Sequence, residues 1–162
     1  MRKKRNVAKG IAAGLAAGIA GAWAMEQFQR AWLKFGPHGD GESTDSGDPS
    51  TIQAAQTFSR LVLRRPIQNQ RRAGEIAHYA VGAVSGAMYG GLAEVNRTVR
   101  AGAGSLYGAG LFVVNDEIVI PAAGWSKPRG AYPVSSHLYG LVSHVVFGLA
   151  TEGARRLLRA AI

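Results

Sequence analysis

The chain has 162 residues, enough for one ordinary domain, and it contains no cysteine, which excludes disulfides and thiolate metal sites. A formal net charge of +9 and a pI near 10.5 would suit a nucleic-acid binder if the charges were spread over one surface. They are instead clustered between apolar, glycine-rich stretches, so no nucleic-acid partner is expected, and the mean hydropathy of 0.00 averages two unlike populations.

The first predicted span covers about residues 8–30 and contains the uncharged run GIAAGLAAGIAGAWAM, Gly10 to Met25. Arg2, Lys3, Lys4, Arg5 and Lys9 precede or open it. A basic start before an apolar run also describes a signal peptide, and Ala20-Gly21-Ala22 offers small residues for cleavage. The helical pattern continues without a break from Trp23 to Phe35, which favours a retained span. A polar outer segment, 36–72, follows. Its first part, GPHGDGESTDSGDPS from Gly36 to Ser50, has the composition of a flexible loop. Ser50 or Thr51 then caps an amphipathic helix over about 51–64, with Ile52, Ala55, Phe58, Ser59 and Val62 on one side. Such a helix either lies along the membrane surface or packs on the protein's own loops.

The second span is predicted at about 75–95, where His78 and two tyrosines interrupt the apolar run. The third covers about 101–121 and carries Asp116-Glu117; the fourth covers about 134–158 and runs on into Arg155, Arg156 and Arg159. Each approaches the ~20 residues that cross ~30 Å of hydrocarbon. Glycine decides between lipid and water, because most of the 22 glycines fall inside the predicted helices, where each would cost a soluble helix roughly 1 kcal/mol against alanine, whereas membrane helices tolerate it. The expected fold is all-α: a single membrane domain, 1–162, with a four-helix transmembrane bundle in two tandem hairpins and one interfacial helix. The basic cluster before the first span puts both termini in the cytoplasm of a bacterial inner membrane.

The spans repeat one another. GLAAGIAGAWAME, Gly14 to Glu26, aligns without a gap on GSLYGAGLFVVND, Gly104 to Asp116, matching Gly14 to Gly104 and Gly18 to Gly108. YGGLAE, Tyr89 to Glu94, resembles FGLATE, Phe147 to Glu152. This predicts two hairpins related by a pseudo-twofold axis along the membrane normal. Gly10, Gly14 and Gly18, with Gly82, Gly86 and Gly90, form small-residue ridges that let backbones approach closely; Gly104, Gly108, Gly140 and Gly148 extend the pattern to the second pair. The facing partner is the same chain or a second copy in a homo-oligomer. Trp23, Trp32 and Trp125 fit an aromatic belt at the outer interface.

Ionisable groups inside a span are costly and face the bundle interior. At 1.5 Å per residue, Glu26 lies about 25 Å along the first helix, level with Asp116 and Glu117 on the third. His78 and His137 enter from the outer side, Asn115 joins them as a hydrogen-bonding group, and His144 lies two turns below His137. The expectation is one cluster in the outer third. Three functions compete for it: interhelical bonds that hold the bundle together, a proton-sensing or proton-relaying group, and a divalent metal site from His78, His137, Glu26 and Asp116. No cofactor is otherwise expected. Glu94 and Glu152 read as helix-end residues near Arg97, Arg155 and Arg156. No phosphate-binding GxxxxGK[ST] motif occurs, and Ser135, Ser136 and Ser143 lack a third group that would make a nucleophile, so an enzyme is disfavoured.

Four blocks together resemble the YagU-like inner-membrane proteins of bacteria: the glycine-rich first span ending in Met25-Glu26, HYAVGAVSGAMYGGLAE (His78 to Glu94), NDE followed by Pro121, and KPRGAYPVSSHLYGLVSHVVFGLATE (Lys127 to Glu152). The resemblance covers nearly the whole chain apart from the polar loop before Ser50, and the last block is its most specific part. It implies a multi-spanning membrane protein whose biochemical activity is not established, with a link of one member to acid tolerance; the reading favoured for this chain is a contribution to acid or envelope stress tolerance through the His/carboxylate cluster. The alternatives that the residues leave beside it are a small oligomeric proton or ion pathway and a metal-dependent membrane enzyme.

Overall fold

The structure is a computed structural model that describes residues 5–36, 50–64, 67–127 and 129–161. Arg2, Lys3, Lys4, Arg65, Pro128 and nearly all of the loop expected between Gly36 and Ser50 lie outside the described residues, as does the side chain of Val62.

Among the described residues the secondary structure is entirely helical. Helix α1 (Val7–Phe35) starts at Asn6, whose side chain accepts the Lys9 N–H and so satisfies a donor that the first turn leaves open. Helix α2 (Ser50–Phe58) runs on through a π-helical turn, Ser59–Leu63. Asn69 caps α3 (Gln70–Val95) in the same way as Asn6 caps α1, by accepting the Arg72 N–H. After α3 the chain makes a 3-10 segment, Arg97–Gly104, in which Gly102, Ala103 and Gly104 all adopt positive φ (61°, 55° and 92°). That left-handed stretch turns the chain back, so helix α4 (Ser105–Val114) begins at Ser105 and not at residue 101 as the sequence suggested. The helical path of α4 continues through a π-helical turn, Asn115–Val119, and a last turn, Ile120–Ala122. Helix α5 (Val134–Ala161) closes the bundle.

Helices α1 and α3 are antiparallel and touch backbone to backbone. A Cβ on Gly14 would strike the Gly86 carbonyl and lie 2.8 Å from the Gly90 Cα. One on Gly18 would strike the Gly82 carbonyl, and Gly10 faces Gly90 and Glu94. Helices α4 and α5 pair by the same rule. Gly104 faces Gly148 and Glu152, Gly108 faces the backbone of His144, and Gly140 faces the Phe112 ring at 2.7 Å. Gly90 thus corresponds to Gly148, Gly10 to Gly104, Gly14 to Gly108, and Gly18 to Phe112. The alignment of Gly14 with Gly104 and Gly18 with Gly108 is therefore off by four residues. Glycines repeating every fourth residue look alike after a slip of one turn, so the sequence alone leaves the register open.

The side chains are distributed inside out for a protein in water. The largest fully buried ones are Tyr89, Glu152, Thr151 and Ser143. Ile11, Leu15, Ile19 and Trp23 of α1 point outward, as do Val84, Met88 and Leu92 of α3, Leu106 and Val113 of α4, and Leu138, Leu149 and Leu157 of α5. Two helical stretches, Val7–Phe35 and Arg97–Ala122, are long and apolar enough to cross a membrane. The spacing of apolar runs predicts four. Helices α3 and α5 have the length, 26 and 28 residues, but their tyrosines, histidines, serines and end charges lower their hydropathy.

Candidate functional site

The bundle has two ends. Asn6 and Arg159 meet at one, the terminal end, through Glu94; the other, the loop end, carries α2 and the α4–α5 connection. Each end holds a polar group of its own.

At the loop end the seven residues expected to form one cluster do not form one. Glu26 accepts hydrogen bonds from the Tyr79 hydroxyl (2.6 Å) and from Arg30 one turn further along α1 (2.5 Å). Glu117 pairs with His137 Nδ1 at 2.6 Å. Asp116 faces His144 Nδ1 at 3.6 Å, and that nitrogen lies 3.0 Å from the Gly140 carbonyl, to which it donates. His78 Nε2 donates to the Ala22 carbonyl at 3.2 Å. Among the described residues no three His, Asp or Glu side chains are arranged to hold a metal ion, so His78, His137, Glu26 and Asp116 are not gathered into one centre.

What unites them is the space between. A cavity of about 530 Å³ is lined by Glu26, His78, Asn115, Asp116 and His144, together with Tyr79 and Trp125. A second, of about 700 Å³, is lined by Asp116, Glu117 and His137, together with Tyr132 and Lys127. Asp116 and Trp125 line both. The π-helical turn Asn115–Val119 carries the acidic pair, and such turns recur where a helix departs from regular packing to present side chains. Phe112, which stands where the α1–α3 pair has Gly18, puts its ring against Gly140 and lines the second cavity.

Helix α2 forms one wall of this vestibule, with Ser50, Thr51 and Ile52 lining the first cavity and Gln53 the second. The Ile52 side chain sits over Gly74 of α3, and Trp125 Nε1 donates to Thr57 Oγ1 at 3.1 Å. Of the two placements open to this amphipathic helix, packing on the protein accounts for Ile52 and Ser59, while Phe58 and Leu61 remain exposed. Thr57→Val removes the bond from Trp125, worth about 1 kcal/mol, and should speed amide hydrogen exchange within α2 while leaving α1 and α3 unchanged. Trp23 is 58% exposed, whereas Trp32 packs against Phe28 and Tyr139. No family model, curated protein or solved structure matches the chain.

At the terminal end Glu94 does stand at the end of α3, and Glu152 does meet Arg155 and Arg156, but Glu152 is buried between the helices. Glu152 is 1% exposed and accepts from Tyr89 (2.9 Å), from Arg155 through both oxygens (2.6 and 3.0 Å) and from Arg156 (2.7 Å). Glu94 takes a two-pronged bond from Arg159 (2.8 and 3.1 Å) and the Asn6 backbone N–H (3.0 Å), with Arg155 at 3.9 Å. The network ties the start of α1 and the ends of α3 and α5 together. Its signal in the sequence was the spacing of Glu152 to Arg155 and Arg156 on one helix face. Tyr89 and Tyr79, which join each end across helices, gave no signal beyond being polar residues in an apolar run.

Proposed function

We propose that this chain is an integral protein of a bacterial inner membrane, with all four long helices in the bilayer and both termini in the cytoplasm, and that its loop-end vestibule responds to external pH. One observation carries the membrane part. Aliphatic side chains line the outside of α1, α3, α4 and α5, while Glu152, Arg155 and Thr151 are buried between them. In water such a surface would be a large apolar patch, whereas in lipid it is the expected one. Helices α3 and α5 need no lipid-facing Leu-rich surface all round, because Tyr79 turns toward α1 and Tyr89 and Glu152 turn toward each other.

The pH response rests on the two imidazole–carboxylate pairs, His137 with Glu117 and His144 with Asp116, at the cavity walls. Imidazoles change charge between about pH 5 and 8. Facing these pairs are Glu26 of α1, His78 and Tyr79 of α3, and Lys127 of the connection, so protonation alters the field of the entire vestibule. Acid or envelope stress tolerance is the cellular outcome that such a response would serve, and the resemblance to the YagU-like proteins implies a link to acid tolerance. In cells carrying this chain as their only copy, Glu117→Gln and His137→Gln are each expected to remove its contribution to survival at about pH 5 while membrane abundance stays unchanged. Survival equal to that of the parent in both variants would refute the proposal.

A further inference from the structure

The geometry points to a second use of the vestibule: it binds an organic monocation, an ammonium or phosphonium with an apolar body, on the Asp116 carboxylate. The inference rests on the membrane placement proposed above but not on the pH response. Asp116 is set apart from the other acidic groups by its partners. Glu26, Glu75 and Glu117 each have a close donor, respectively Tyr79 with Arg30, Arg71, and His137. Asp116 has only His144, at 3.6 Å, and no hydrogen bond among the described residues. A carboxylate held within a bilayer calls for a positive partner.

The surroundings select the kind of cation. A small inorganic ion needs several oxygen ligands, and no group of three suitable side chains exists among the described residues. The two cavities that share Asp116 measure about 530 and 700 Å³, the size of sites that enclose drug-like molecules. The wall of the first is mostly carbon, from Met25, Leu111, Ile120 and Phe147; Met25 and Ile120 also line the second, and Trp125 lines both. An apolar body would fill that space, and its charge would be met by Asp116 and the indole.

The test uses the full-length chain in nanodiscs, titrated calorimetrically with tetraphenylphosphonium after subtraction of empty nanodiscs. Saturable binding is expected, at least about tenfold weaker in Asp116→Asn, and absent for the neutral triphenylphosphine oxide. Ala54→Trp, which adds bulk to the α2 wall of the first cavity and leaves the carboxylate in place, should weaken binding as well. Helix content read by circular dichroism identifies a variant that has not folded, in which case Ala54→Trp and the neutral analogue decide. Equal binding by the wild-type, Asp116→Asn and Ala54→Trp proteins overturns the inference, as does equal binding of the charged and neutral compounds. A chain that His137→Gln leaves fully able to bind the cation separates this site from the pH response, whichever way the survival experiment falls.

Discussion

Replacing Glu152 with alanine is expected to cost roughly 3–5 kcal/mol of stability, the largest effect of any single side-chain removal in the bundle. The carboxylate is the one acceptor shared by Tyr89, Arg155 and Arg156. Arg155 is 3% exposed, and the nearest other carboxylate, on Glu94, stands 3.9 Å from it and is already occupied by Arg159. Without Glu152 a guanidinium would remain buried with its charge uncompensated, and the Tyr89 hydroxyl would lose its acceptor. Arg156 provides the control. Its side chain is 60% exposed, so Arg156→Ala should cost at most about 1 kcal/mol, although it contacts the same carboxylate. Unfolding in mixed micelles by increasing SDS, followed by far-UV circular dichroism, measures both. Similar losses in the two variants would show that the buried network does not carry the terminal end of the bundle.

The second large effect belongs to the α1–α3 contact. A Cβ on Gly86 would strike the Gly14 carbonyl and lie 2.5 Å from the Gly18 Cα. Both obstacles are backbone, so no rotamer change relieves them, and the helices must separate along their length. Gly86→Val should therefore cost well over the ~1–3 kcal/mol typical of overpacking, where side chains can yield. Gly110 of α4 has nothing within 4 Å of the place its Cβ would take. Gly110→Ala should be neutral or stabilising by up to about 1 kcal/mol from helix propensity. The same SDS titration separates the two, and a Gly86→Val protein as stable as Gly110→Ala would refute the close contact.

The parts of the fold that depend on period and composition were legible in the sequence. Long helices, their order, and the use of Gly14, Gly18, Gly82, Gly86 and Gly90 as a contact ridge all follow from spacing. The start of α4 was not, because Ala101 and Ala103 look helical and the left-handed turn at Gly102–Gly104 is set by tertiary contact of Gly104 with Gly148. Levels along the bundle were also legible: Glu26, Asp116 and His78 do line one cavity. Pairing was not. Depth along a helix places two side chains at the same height, but a rotation of about 100° per residue decides whether they touch. That is why Glu117 meets His137 while Asp116, its neighbour, faces His144. Glu152 hid its importance because a carboxylate followed by arginines at a helix end has the pattern of an exposed interfacial turn.

The two glycine-paired halves are not equals. Along α1 and α3 the seam stays shut from Gly10 to Gly18, whereas along α4 and α5 it parts at Phe112, just where the acidic pair begins. In one half backbone thus meets backbone along the seam, and in the other a single aromatic ring stands between the helices. Room for side chains to rearrange therefore lies between the loop-end halves of α4 and α5, while the terminal end is closed by the ion pairs of Glu94 and Glu152.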